Sequence, residues 1–340
     1  MDRHDQHGYR RGRHGLPSYG IASAFVMALL GVACRSHHPM RIAVIPRTSG
    51  IPFWERVHGA ADDAADRIGA FIYWNAPTSE DDVEGQITLV ERVVSDDYQG
   101  LVLAPDQALS LITPVRRALS RGIATVIIGS PLPIPAGGNL SYILNDEEEG
   151  GRLAAQRVAR LLHDRGSVAL LGINPDVSGI MIRARSFEQT LARNYPDIHI
   201  VEKRMGSFNV PHEQQVVQDT LTDNPNLDVI VALMWTTAHE TLSALDTSPQ
   251  GHPPKVIGFD PGARPPFHEQ CLDSVILQDT RAMGQQAVEL IHARLLGQSV
   301  PELVTLPPKL ITRENVDSPE VRHMTALDWR PGRQSRNAVP

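Results

Sequence analysis

The sequence predicts an α/β protein built from two similar, doubly wound lobes of parallel sheet. Short β-branched segments alternate with helical segments from Met40 onward, which is typical of a parallel sheet covered on both faces. The alternation restarts near the middle of the chain. Roughly 300 residues take part in it, which is more than a single hydrophobic core usually supports.

The first half of the alternation predicts five strands and three helices. The predicted strands are 41–45, 70–74, 100–103, 124–129 and 141–144. The predicted helices are 53–68, 83–95 and 112–121. The helices separate the first four strands, and the fifth strand follows the loop 131–139.

The second half repeats the same arrangement. The predicted helices are 147–164, 180–194, 212–223, 237–245 and 281–296. The predicted strands are 168–172, 199–204, 229–233, 255–259 and 274–278, with a final one near Val304. Residues 318–340 are rich in Pro, Arg, Ser and Asn, and this composition predicts a tail that is disordered or loosely docked.

The N-terminal segment predicts export. Residues 21–33 form a short apolar run that follows several arginines and ends in small residues, as in a secretory signal peptide, so residues 1–33 are expected to be removed. Gly31-Val32-Ala33-Cys34 resembles the bacterial lipoprotein box, in which the cysteine receives a lipid. Cys34 is then a membrane anchor. Ordinary cleavage after Ala33 is the alternative, and both predict an extracytoplasmic protein.

Composition narrows the functional classes. The formal net charge of −7 disfavours nucleic acid as a partner. Cys271 is the only cysteine besides Cys34, so acylation of Cys34 leaves no pair for an intramolecular disulfide. No segment after the leader has the length of apolar sequence that a membrane helix needs, and we expect a soluble body.

Aromatic residues mark a candidate ligand site. In open α/β sheets ligands bind beyond the carboxyl ends of the strands. Aromatic residues make up only 5% of the chain, yet several follow predicted strands, and an aspartate follows another. These residues are Phe53, Trp54, Phe208, Trp235 and Asp260. Flat rings suit the C–H face of a sugar, while a few polar groups fix its hydroxyls, so the pattern favours a small polar ligand.

Several segments together resemble the ribose- and galactose-type periplasmic binding proteins, the sugar-binding subunits of ABC importers. The resemblance covers roughly residues 40–317. The matching segments are Ile42-Ala43-Val44-Ile45 with Gly50-Ile51-Pro52-Phe53-Trp54, Asn145-Asp146 with Gly150-Gly151, Arg183 ahead of Phe187, Val256-Ile257-Gly258-Phe259-Asp260, and Gln278. The resemblance implies the type I periplasmic binding protein fold, with two Rossmann-like lobes.

The same resemblance implies domain boundaries and a mechanism. The first lobe is expected to be 40–145 plus 279–303, and the second 146–278 plus 304–317. A sugar-like ligand lies between the lobes and favours the closed form. The implied partner is an ABC permease, and the protein is expected to be a monomer without a cofactor. Presentation of the ligand to a membrane sensor kinase or chemoreceptor is the alternative.

Site roles also follow from the resemblance. Phe53 and Trp54 match the pair that stacks on the sugar, Arg183 the arginine that reaches it, Asp260 the aspartate that accepts its hydroxyl protons, and Gln278 the hinge glutamine. Each residue has a structural alternative. The aromatic residues, Trp235 and Phe208 included, can pack in a core, Arg183 can be solvated, Asp260 can cap a helix, and Gln278 can bond the hinge backbone.

The sequence departs from the family pattern at three places. Gly129-Ser130 stands where the family often has Asp-Arg, and Met234-Trp235 stands where it has Asn-Asp. Asp146-Glu147 stands where Asp-Asn is common, which adds negative charge near the hinge. These departures predict a ligand that is less hydroxylated, bulkier or cationic.

Catalytic motifs are absent from the sequence. It contains no Gly-x-Ser-x-Gly elbow, no Walker loop and no dinucleotide-binding glycine motif after the first strand. His212-Glu213 and His239-Glu240 begin like zinc-protease helices, but Val216 and Ser243 stand where the second histidine ligand is required. We therefore expect neither enzymatic activity nor a metal site.

Overall fold

The computed structural model describes residues 39–247, 252–260 and 271–327, so the leader, Cys34 and the last residues of the predicted tail lie outside the described residues. Twelve strands occur in the described part of the chain. They are β1 (Arg41–Ile45), β2 (Phe71–Trp74), β3 (Gly100–Leu103), β4 (Ala124–Gly129), β5 (Leu140–Asn145), β6 (Gly166–Ile173), β7 (Ile198–Met205), β8 (Val229–Ala232), β9 (Lys255–Phe259), β10 (Leu272–Leu277), β11 (Leu303–Leu306) and β12 (Lys309–Ile311).

Nine helices accompany these strands within the same ranges. They are α1 (Pro52–Ile68), α2 (Val83–Ser95), α3 (Ile112–Ser120), α4 (Glu147–Leu162), α5 (Ser178–Asn194), α6 (Val210–Asp223), α7 (Trp235–Thr247), α8 (Thr280–Leu295) and α9 (Pro319–Thr325). None of the helices in the described part of the chain combines the length and the apolar content needed to cross a membrane.

The strands form two six-stranded sheets, one in each lobe. The first sheet has the order β11-β5-β4-β3-β1-β2, and all its neighbours are parallel. The second has the order β12-β10-β9-β8-β6-β7, and it is parallel except for the antiparallel pair β10–β12. Both sheets are doubly wound, as the sequence predicts.

Each sheet carries a hydrophobic cluster on both of its faces. In β1, Ile42 and Val44 pack into one cluster, while Ala43 and Ile45 pack into the cluster on the other face. In β6, Val168 and Ala169 are divided in the same way. Alternate side chains of a strand point to opposite faces, so central strands covered by helices on both sides are apolar throughout. This is why the sequence shows continuous apolar runs.

The last part of the lobe assignment is wrong. The family resemblance predicts that the strand near Val304 belongs to the second lobe, but β11 pairs with β5 in the first sheet. The chain crosses to the second lobe only at Pro307 and Pro308, and β12, which the sequence did not predict, then pairs with β10. Two strands this short, separated by two prolines, look like one interrupted segment in the sequence.

The expected disorder of residues 318–340 is wrong for the part that the structure describes. Ser318 caps α9 by accepting a hydrogen bond from the backbone N–H of Val321, and Pro319 occupies its first turn. Val321 and Met324 are buried in a hydrophobic cluster of the second lobe. Two apolar residues three positions apart are enough to dock one short helix, and the polar composition around them conceals this signal.

Candidate functional site

A cavity of about 600 Å³, open solvent included, lies between the two lobes at the carboxyl ends of strands from both sheets. We call it the cleft. Residues that follow strands supply much of its lining, namely Arg47, Pro105, Ser130, Leu233, Asp260 and Gln278. The structure places all seven predicted site residues around this one cavity, namely Phe53, Trp54, Arg183, Phe208, Trp235, Asp260 and Gln278. Their contact with a ligand remains a prediction.

The first lobe supplies an aromatic pair at the start of α1. Pro52 opens this helix, where its fixed φ angle and missing N–H are well tolerated. The rings of Phe53 and Trp54 meet edge to face, with centroids 4.7 Å apart. Trp54 is 3% exposed and packs into the first-lobe core while it lines the cleft. Trp54 therefore packs in the core with one part of its side chain and lines the cleft with another.

Glu80 joins the two lobes through tryptophan side chains. It lies in the loop between β2 and α2 and is buried. Its Oε1 accepts a hydrogen bond of 2.8 Å from Nε1 of Trp54, and its Oε2 accepts one of 3.2 Å from Nε1 of Trp235. Trp235 is the first residue of α7 in the second lobe. One carboxylate thus accepts one N–H from each side of the cleft.

Arg47 makes a second connection between the lobes. Its Nε donates a 3.2 Å hydrogen bond to Oδ1 of Asp106, and its guanidinium lies over the ring of Phe208, 4.7 Å from the centroid. Burial raises the pKa of Asp106 to about 8, although the nearby Arg47 charge acts to lower this pKa. Arg47 thus pairs with a carboxylate of its own lobe and contacts an aromatic ring of the opposite lobe.

The loop that carries Phe208 is fixed from beneath by Glu213. This buried carboxylate accepts hydrogen bonds from the backbone N–H of Ser207 and from Oγ1 of Thr237. Burial raises the pKa of Glu213 above its usual range. The Glu213 side chain links α6, the Phe208 loop and α7. It therefore fixes the relative positions of the two segments that carry Phe208 and Trp235.

A charged network forms the second-lobe wall. Arg183 binds Glu147 with two parallel hydrogen bonds of 2.7 Å and donates a third, of 2.9 Å, to the carbonyl oxygen of Leu233. Gln278 donates from Nε2 to Oε1 of Glu147 at 2.9 Å. This bidentate pairing with Glu147 fixes the plane of the Arg183 guanidinium. The negative charge predicted near the hinge is thus paired with Arg183, and it is not left free to attract a cation.

Close packing of α4 against α5 brings this network together. Glu147 begins α4, and Arg183 lies within α5. At Gly151 an added Cβ would lie 2.2 Å from the backbone oxygen of Arg183, which is far inside van der Waals contact. Glycine at this position therefore permits the spacing of the two helices that the Glu147–Arg183 pair requires.

Asp260 directly follows β9 and has a left-handed backbone conformation, with φ of 47°. Few residues other than glycine adopt this conformation, and such strain is often found at functional sites. Its Oδ1 accepts a 2.8 Å hydrogen bond from the backbone N–H of Gln278. Burial raises the pKa of Asp260 to about 7, while that hydrogen bond and the charges of Arg183 and Arg56 act to lower this pKa.

Asn145 offers the cleft a buried acceptor. It ends β5, at the point where the chain first crosses to the second lobe, and it is 9% exposed. Its Oδ1 has no hydrogen-bond partner among the residues that the structure describes. A buried acceptor without a partner is unfavourable, so a donor group on a bound ligand can satisfy this oxygen.

Three residues of the site, Arg47, Glu80 and Asn145, are not among those that the sequence predicts. Arg47 and Asn145 lie at strand ends, and this position is a signal that could have identified them. Glu80 lies in a loop, and no sequence pattern shows that this loop turns back over the cleft. Over the described ranges, no group of three His, Cys, Asp or Glu residues is arranged to hold a metal ion.

Comparisons with known proteins agree with this geometry. The family profile described as "Periplasmic binding protein domain" matches residues 42–299. The D-allose-binding periplasmic protein of Escherichia coli is 25% identical over 76% of this chain and 86% of its own length. A ribose import binding protein of the same species is 22% identical over 80% of this chain and 90% of its own length.

Solved structures show the same fold. An ABC transporter solute-binding protein from Burkholderia graminis, in complex with D-arabinose, superposes with a TM-score of 0.76 at 24% identity, covering 82% of this chain and 97% of its own. One from Agrobacterium vitis with bound D-fucose has a TM-score of 0.77 at 24% identity, covering 83% and 99%. The two-lobed architecture predicted from the sequence is thereby confirmed.

Proposed function

Because this chain belongs to the periplasmic binding protein family, we propose that it binds a neutral sugar, or a related small polar molecule, in the cleft and delivers it to an ABC importer. One observation carries the proposal. The cleft lies between two lobes and combines aromatic rings from both with a network of hydrogen-bonding groups at the crossings. The relatives named for D-allose and ribose bind molecules of this class. The site carries binding rather than catalysis.

The charges of the cleft favour a neutral ligand. Arg183 is paired with Glu147, and Arg47 is paired with Asp106. A charged ligand that paired with any of these four groups would displace its partner and leave a buried charge, which is costly. The carboxylate of Glu80 is occupied in another way, since each of its oxygens accepts an indole N–H. Gly129 and Ser130 leave the part of the first-lobe wall at the end of β4 without a charged side chain. We therefore propose a sugar with fewer hydroxyls engaged beside β4 than beside Arg183.

Closure of the lobes accompanies binding in this proposal. The chain passes between the sheets at three places, namely 145–147, 277–280 and 306–309. Only the closed form brings the aromatic pair of α1 and the charged network of the second lobe to the same ligand, so the ligand favours that form by differential affinity.

A ligand screen tests the binding step. At a ligand concentration of about 100 times Kd, stabilisation is expected to reach about 2.7 kcal/mol, which a thermal unfolding assay detects. The panel contains D-ribose, D-allose, D-arabinose and D-fucose, with a sugar acid and an amino sugar as charged controls. We expect a neutral sugar to raise the unfolding temperature most. If only a charged compound stabilises the protein, or none does, the proposal is wrong.

The identity of the membrane partner distinguishes a transport function from a sensing function. Permease and ATPase genes beside this gene would support import, whereas a histidine kinase gene would support the alternative of ligand presentation to a sensor. The direct test is stimulation of the permease ATPase by the protein with bound sugar, compared with the ligand-free protein.

We also propose that the mature protein is a monomer held at the membrane by a lipid on Cys34. The support is the lipoprotein-like segment Gly31-Val32-Ala33-Cys34 directly after the apolar run. Cys34→Ala should move the protein from the membrane fraction to the soluble fraction without a change in Kd, and Cys271→Ala is the matched control. Membrane association that persists in Cys34→Ala would exclude the anchor.

A further inference from the structure

The carboxylate of Glu80 has an unusual position, because it satisfies an indole N–H from each lobe at once. Glu80 is 7% exposed, and Trp54 is 3% exposed. A buried indole N–H needs an acceptor, and an ionised acceptor forms a stronger bond than a neutral one. With both Nε1 atoms directed at Glu80, the two indole rings have fixed orientations where they line the cleft.

The two hydrogen bonds differ in what they connect. Trp54 and Glu80 both belong to the first lobe, so their bond does not depend on closure. Trp235 belongs to the second lobe, so its bond to Glu80 exists only when the lobes meet. An interaction made in one of two conformations shifts the equilibrium toward that conformation.

On the basis of the proposed function, we infer that Glu80 is a positioning residue of the cleft: it orients Trp54 and Trp235 and stabilises the closed form. Trp54 holds the carboxylate in place, and the carboxylate then receives Trp235 as the lobes close. Glu80 therefore affects sugar affinity through the two tryptophans. Its effect on affinity should be smaller when Trp235 has no N–H to donate.

Glu80→Gln is a sharp probe of this arrangement. Glutamine has nearly the same shape as glutamate but only one side-chain acceptor oxygen, and its other terminal atom is an NH₂ donor. Whichever way the amide is turned, one tryptophan N–H faces a donor instead of an acceptor. Trp235→Phe keeps a ring in the cleft and removes the N–H, so in that background the glutamine oxygen can accept from Trp54 without conflict.

The experiment is a double-mutant cycle on Kd. The probe is whichever of D-ribose, D-allose, D-arabinose and D-fucose raises the unfolding temperature of the wild type most. Glu80→Gln should weaken binding about tenfold through faster dissociation, and in the Trp235→Phe background it should weaken binding by less than about threefold. The control is Glu84→Gln, since Glu84 is an exposed acid in the same region and its loss should leave Kd unchanged. An equal effect in both backgrounds, or none in either, overturns the inference.

Solution scattering of the ligand-free proteins provides a second readout that needs no sugar. Glu80→Gln and Trp235→Phe should each increase the mean radius of gyration relative to the wild type and Glu84→Gln, because the open form gains population. Unchanged radii overturn the role in closure. If Glu80→Gln does not fold, Trp235→Phe decides the question alone. A wild type that binds no sugar would refute the proposed function, while the scattering result would still decide on Glu80.

Discussion

The two walls of the cleft differ in chemistry although the two lobes share one architecture. The first-lobe wall presents the rings of Phe53 and Trp54 beside three polar side chains that lie on separate loops or strand ends, namely Arg47, Glu80 and Asn145. The second-lobe wall presents Arg183 held by Glu147, with Asp260 and Gln278 at the adjoining crossing. The rings of α1 offer contact area with little directional preference, and the connected network around Arg183 offers fixed donors and acceptors. Both should contribute to affinity, whereas selectivity should depend mainly on the network around Arg183.

The largest expected effect comes from breaking the charged network. Arg183→Met leaves the Glu147 carboxylate buried without its partner, which should lower the free energy of unfolding by about 3 to 5 kcal/mol and weaken sugar binding strongly. Denaturant titration and calorimetric Kd measurements test this. Arg185→Met is the matched control, because Arg185 is exposed on the same helix. Equal behaviour of the two variants would contradict the assigned role of Arg183.

The second prediction concerns pH and Asp260. Burial raises the pKa of this carboxyl to about 7, so the folded state holds a proton that the unfolded chain releases above about pH 4. The carboxyl therefore lowers stability as pH rises from about 4 to 7, by about 1.4 kcal/mol for each pH unit inside that window.

Asp260→Asn removes this contribution, so its unfolding free energy should fall less than that of the wild type between pH 5 and pH 8. Chemical denaturation at both pH values gives the comparison. Asp106→Asn tests the equivalent point in the first lobe, where burial raises the pKa of Asp106 to about 8. Parallel pH curves for wild type and Asp260→Asn would show that Asp260 does not titrate in this window.

A smaller loss of sugar affinity is expected when the ring of Phe53 is removed from the first-lobe wall. Phe53→Leu should lower the affinity for different sugars by a similar amount, about 1 kcal/mol, because a ring face contacts carbon atoms without reading hydroxyl positions. Competition assays with two epimeric sugars measure both affinities. Phe71→Leu, in β2 and away from the cleft, serves as the control. A change in the preference between epimers would assign selectivity to the first wall as well.

The smallest effect has opposite signs in two assays. Asn145→Ala removes a buried oxygen that lacks a partner among the described residues, so ligand-free stability should stay the same or rise. Sugar affinity should nevertheless fall by about 1 kcal/mol, since a ligand donor loses its acceptor. Asn139→Ala, at a half-buried position that does not line the cleft, is the control. A loss of ligand-free stability with unchanged affinity would place Asn145 outside the binding machinery.

Much of the fold could be predicted because local patterns and burial agree. The predicted strand 41–45 coincides with β1, and the predicted helix 83–95 coincides with α2. Prediction and structure differ for short segments whose position depends on a few residues. The pairing of β11 and the docking of α9 each depend on contacts with distant segments. The three apolar residues of β11 and the two buried ones of α9 carry too little sequence signal to reveal these contacts.

The site shows the same limit. Position after a strand drew attention to Asp260, because parallel strands bring their carboxyl ends to one edge, whereas Gln278 was predicted from the family resemblance. The partners of these residues could not be predicted in this way. Glu80 reaches Trp235 across 155 positions of sequence, and Gln278 reaches Glu147 across 131.

The amino-acid sequence by itself determined the alternation of strands and helices, the two lobes and the edge at which the cleft forms, since hydrophobic periodicity is a local property that burial enforces. Only the tertiary structure decided which charges are neutralised and which groups cross the cleft. Arg183 is a charged residue in the sequence, but its pairing with Glu147 gives the wall a balanced charge. Hydrogen bonds and ion pairs depend on distances of a few ångströms between segments far apart in the chain, and only folding sets those distances.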